Sequence, residues 1–131
     1  MTEPQQSQPA EPGISPEEAE LFARGLYFLA SLDGITPREE ALIREFIEES
    51  GASVKYDELQ GTSFSPLEAA TVLQTTFMQR VFVKAAIALV KSDGHFSDAE
   101  RHAIGEIADA FGMTNAEFGD LEQEAEKAQL E

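Results

Sequence analysis

Cysteine is absent from the 131 residues, which excludes disulfides, thiolate metal sites and cysteine nucleophiles. Basic residues are scarce: nine Lys and Arg stand against 25 Asp and Glu, a formal charge of −16. Such a surface repels phosphate backbones and anionic headgroups, so nucleic acid and membrane surfaces are poor partners, whereas cations and basic protein surfaces are good ones. The imbalance is not an acidic tail, because 13 acidic residues face four basic ones up to Phe64 and 12 face five after it. No run of alternating β-branched residues lies between turn signals, so no strand is expected. The most apolar run, Val81 to Val90, is broken by Lys84 and flanked by Arg80 and Lys91; it is too short to span a bilayer. The first residues lack the basic region and apolar core of a signal peptide, and the expected compartment is the cytoplasm. Catalytic signatures are missing too. There is no nucleophile elbow, no Gly-rich phosphate loop and no Glu-x-x-His pair of a di-iron bundle, so no enzyme is expected.

An apolar fraction of 42% is enough for one core. Residues 1–13 carry Pro4, Pro9 and Pro12 and no large apolar residue after Met1; they read as a disordered tail ahead of a domain over 14–131. From Val81 to Val90 only Lys84 is polar, which leaves no solvent face for an ordinary surface helix, so this is a core helix wrapped by others. Five capping boxes punctuate the chain, at Ser15–Glu18, Thr36–Glu39, Ser65–Glu68, Ser97–Glu100 and Thr114–Glu117, each pairing a Ser or Thr cap with a Glu three residues on. The first opens a helix presenting Leu21, Phe22, Gly25, Leu26, Leu29 and Leu32 at helical spacing. The second sends Leu42, Ile43, Phe46 and Ile47 inward. Residues 52–64 read as a connector. The third box starts a helix through Leu67, Ala70, Leu73 and Phe77, with a break expected at Thr75-Thr76 because adjacent β-branched residues are weak helix formers. The fourth turns Ile104, Ile107 and Phe111 inward, and in the fifth Met113 staples toward Phe118. The run Glu122, Glu124 and Glu126 reads as a solvated face. The class is all-α, with six to seven helices.

The chain repeats itself. With Ile35 laid on Phe96, Thr36 falls on Ser97, Glu39 on Glu100, Ile43 on Ile104, Glu45 on Glu106, Glu48 on Asp109 and Gly51 on Gly112. Asp33-Gly34 falls on Asp93-Gly94 with one residue gained in the second loop. Two pseudo-symmetric helical hairpins around a buried central helix follow. Leu29-Ala30-Ser31-Leu32-Asp33-Gly34 with Glu39, and Ala86 to Gly94 with Phe96 and Glu100, resemble the tellurite-resistance TerB family, including the similar domain of membrane-anchored DjlA co-chaperones. The resemblance spans roughly Ser15 to Leu121. It implies a TerB-like all-helical bundle without known catalysis, associated with metal and stress responses and acting through partners or a divalent ion.

Asp33 and Asp93 each sit at a helix C-terminus, where the macrodipole disfavours an anion by about 0.3–1 kcal/mol. Two arrangements would offset that. Each carboxylate can accept N–H groups of its own loop and of the next helix start, the commoner case, or a divalent cation can be shared by Asp33, Glu39, Asp93 and Glu100 with loop carbonyls. Neither loop is an EF-hand: counted from the aspartates, positions 6 and 12 are Arg38 and Arg44, then Asp98 and Ile104, where Gly and Glu are needed. Asp98, His102 and Glu106 share one helix face and form a second, transition-metal candidate. The first half has Pro37, Ala41 and Glu45 there, so a solvated face is the simpler reading. His95 lies beside Asp93 and either joins a site or is simply exposed. An oxyanion such as tellurite would approach a negative surface, so direct capture is disfavoured. The expected function is thus a non-enzymatic module binding a divalent cation or a basic protein partner through its Asp-Gly loops. The alternative is a scaffold whose aspartates only cap loops and whose interhelical groove holds a partner helix.

Overall fold

Ser15 starts the first helix as a reciprocal cap: the Glu18 N–H donates to Ser15 Oγ at 3.1 Å and the Ser15 N–H to Glu18 Oε1 at 2.9 Å. The computed structural model describes residues 14–92 and 97–130, with side chains up to residue 125; the expected tail over 1–13 lies outside them. Among the described residues there are six α-helices, two 3-10 turns and no strand. They are α1 (Pro16–Ala30), α2 (Pro37–Ser50), α3 (Pro66–Val72), α4 (Thr76–Val90), α5 (Asp98–Ala110) and α6 (Asn115–Leu130). The 3-10 turns span Ser31–Asp33 and Tyr56–Gly61.

The central helix is where its composition places it. Helix α4 packs against α1, α2, α5 and α6, burying Met78, Phe82, Val83, Ala86, Ile87, Leu89 and Val90. Helix α1 is its equal partner, with Leu21, Phe22, Ala23, Leu29 and Ala30 buried. Phe82 is the hub of this contact. Its ring meets Phe22 edge-on at 5.1 Å, Phe64 at 6.0 Å and Phe111 at 6.4 Å between centroids, arrangements that exploit the ring quadrupole. Phe22 in turn stacks on Phe46 of α2 at 5.6 Å.

Several expectations change in detail. Leu32 is 38% exposed, because α1 gives way at Ser31 to a 3-10 turn whose three-residue repeat rotates the side chain off the buried stripe. Leu67 and Phe77 are 76% and 62% exposed. Helix α3 turns Ala69 inward instead and stops at Val72, with Leu73 extended and buried. The break falls beside the Thr pair: Thr75 caps α4 by accepting the Met78 N–H at 3.1 Å, and Gln79 Nε2 donates to the Leu73 carbonyl at 2.8 Å across it. The third capping box is only half closed. Ser65 accepts the Glu68 N–H, but the Glu68 carboxylate turns to Arg24 Nη2 at 2.8 Å, a charged partner that outcompetes a backbone N–H. In the C-terminal run Glu122 pairs with Arg101 at 2.9 Å and Glu124 with Lys84 at 3.4 Å, so these two brace α6 against α5 and α4.

Candidate functional site

The second and fourth capping boxes have one construction. Thr36 Oγ1 accepts the Glu39 N–H at 3.1 Å and Glu39 Oε1 accepts the Thr36 N–H at 3.0 Å. Ser97 and Glu100 repeat these contacts at 3.1 and 3.0 Å. The repeat read from the sequence is therefore a repeat of side-chain geometry.

Both glutamates are buried, Glu39 at 2% and Glu100 at 3% exposure, and they are the buried charged residues of the described core. A buried carboxylate needs hydrogen bonds and a favourable field. The cap N–H supplies the first, and the positive end of the helix dipole at its own N-terminus supplies the second. The two halves also feel each other. Burial raises the pKa of Glu100 most, the Ser97 N–H opposes this, and the charges of Asp33 and Glu39 raise it further. The turn carrying Asp33 packs against α5. Three of the four carboxylates proposed from the sequence thus share one electrostatic neighbourhood, while Asp93 lies outside the described residues.

Asp33 is exposed at the end of its turn, and no described residue donates a hydrogen bond to its carboxylate. The chain leaves the turn through Gly34 at φ 87°, a left-handed conformation that glycine takes without strain. Among the described residues no three His, Asp or Glu side chains stand together closely enough to hold a metal ion. The Asp98, His102 and Glu106 stripe is exposed; His102 Nε2 lies 3.4 Å from Glu106 Oε2. His95 lies outside the described residues. Sequence reasoning found the carboxylates but missed the burial of Glu39 and Glu100. The capping boxes alone do not signal it, because Glu18 and Glu117 close the same boxes and stay half-buried.

Fold and centre together define an all-helical domain built from two similar hairpins, with a buried capping glutamate where each second helix begins. The family model described as tellurite resistance protein TerB matches residues 10–123, and the chain belongs to that family. No curated protein and no solved structure matches it. No helix of the described residues is long and apolar enough to cross a membrane.

Proposed function

We propose that the chain is a non-enzymatic acidic module that binds a divalent cation between its two Asp-Gly loops, as part of a metal or tellurite stress response. Asp33, Glu39, Asp93 and Glu100 are the proposed ligands, supplying the oxygen donors that hard cations take. One observation carries the reading: Glu100 is buried, which raises its pKa most, and the like charges of Asp33 and Glu39 add to that rise. A divalent ion would relieve that repulsion as a proton does.

The test is thermal unfolding of the chain and of Glu100→Gln in millimolar calcium, magnesium or zinc. A ligand that binds only the folded state raises Tm by mass action. The parent chain is expected to respond, whereas Glu100→Gln is expected to lose the response and, without cation, to unfold no earlier than the parent. Gln keeps the oxygen that accepts the Ser97 N–H and removes only the charge. A parent chain indifferent to all three ions would overturn the cation reading. The scaffold reading would then stand, favoured by one observation: the carboxylates of Glu39 and Glu100 already serve as caps.

A further inference from the structure

A helix as apolar all round as α4 needs cover on every side, and its described neighbours leave one side half-bare. Phe77 is 62% exposed, Lys84 is exposed, and Val81, Ala85 and Ala88 are half-buried. Phe77, Val81, Lys84 and Ala88 follow one another at steps of four, three and four residues, the spacing of a coiled-coil seam.

This seam carries both halves of a joint. Val81, Lys84, Ala85 and Ala88, with Ala125 of α6 at the edge, line a hollow of about 360 Å³. Residues at i, i+3, i+4 and i+7 are the four that make a hole for the knob of a facing helix. Phe77, one turn earlier on the same side, stands out as a knob. Two copies of α4 laid antiparallel, with the two-fold axis beside Val81, set each Phe77 over the hollow of the other. An isologous contact uses one patch twice, so a knob and a matching hole on one helix single out a second copy as the occupant.

Charge points the same way. All 25 Asp and Glu lie outside residues 69–92, which hold Arg80, Lys84 and Lys91. Arg80 lies 3.5 Å from Glu117 and Lys84 3.4 Å from Glu124, so the cations beside the hollow are already matched within the chain. Two copies of a chain with a formal charge of −16 repel each other at any acidic face. They can close on one from which carboxylates are withheld.

We propose that the outward seam of α4 is the interface of a weak antiparallel homodimer, in which Phe77 of each copy seats among Val81, Lys84, Ala85 and Ala88 of the other. A contact centred on one helix of 15 residues, about 22 Å long, falls short of a standard interface area, so the dimer forms in a concentration-dependent equilibrium. It needs no cation and stands whether or not the Asp-Gly loops bind one.

The test is sedimentation equilibrium of the full chain from about 10 μM to about 1 mM, the range in which a weak interface populates, with amide NMR spectra over the same series. The expected mass climbs from monomer toward dimer, with amide shifts centred on residues 77–88. Added salt should favour the dimer by screening the repulsion between acidic chains. Phe77→Ala, which truncates an exposed side chain, should keep a folded spectrum and remain monomeric. Leu67→Ala, which truncates the still more exposed Leu67 on α3, should dimerise like the parent. Four outcomes would overturn the proposal: a parent that stays monomeric throughout, which would leave the seam to a different protein; Phe77→Ala associating as the parent does; Leu67→Ala losing the dimer as well; or an association that salt dissolves.

Discussion

At Gly25 an added methyl group would stand 2.6 Å from Phe82 Cζ and 2.8 Å from Phe64 Cε1, closer than carbon atoms pack. Phe82 cannot swing aside, because Phe22, Phe64 and Phe111 hold its ring. Alanine in mid-helix normally gains roughly 1 kcal/mol over glycine, but overpacking a filled core loses about 1–3 kcal/mol. Gly25→Ala is therefore expected to lower the urea midpoint. Gly105→Ala, in open space, is expected to raise it by the helix-propensity gain alone. Denaturation of the two variants beside the parent checks both signs, and a rise for Gly25→Ala would show that the core yields. In the sequence Gly25 reads only as one member of an apolar stripe. Its contact with Phe82 was not legible, because it arises from the docking of α1 on α4. The burial of Glu39 and Glu100 escaped for the same reason: their caps are local, but burial depends on how the helices pack around them.

Helices α1 and α4 could be read from their own residues, since each holds far more apolar surface than a solvent-facing helix can leave exposed. Helix α3 could not. Its cap at Ser65 is visible in the sequence, but the choice of Ala69 over Leu67 as the buried residue depends on the approach of α1 and α5. The diversion of Glu68 to Arg24 also involves a partner far away in the chain. The seven residues of α3 make barely two turns, fewer than an isolated helix needs to persist in water, and exposed Leu67 contributes little burial. Its amides are accordingly expected to exchange with solvent through local opening, ahead of those in the middle of α1 and α4, which should exchange only on global unfolding. Native-state hydrogen exchange across a urea series checks this. Equal protection of α3 and α4 would mean that the break at residues 73–75 joins them into one cooperative unit.

For the whole molecule, charge sets the response to pH, and the sign can be worked out at Glu100. Its folded pKa lies above the ordinary glutamate value of 4.5, chiefly through burial. Between that value and the raised one the folded state holds a proton that the unfolded chain has released, so stability falls as pH rises through the window. Acidifying from neutrality toward 4.5 should therefore stabilise the domain, and a chain with 25 acidic and nine basic residues gains in the same direction as its self-repulsion is relieved. Glu117 titrates the opposite way. The Thr114 N–H and hydroxyl lower its pKa, so its contribution is present above the ordinary value and disappears only as pH falls below it. The two windows do not overlap. Urea unfolding at intervals from pH 7.5 to 4.5 separates the local effect from the global one: the parent should gain stability on acidification, and Glu100→Gln should gain less over the same range. If the slopes were identical, general repulsion would account for the whole effect, and the Glu100 carboxylate would hold no electrostatic strain for a cation to relieve.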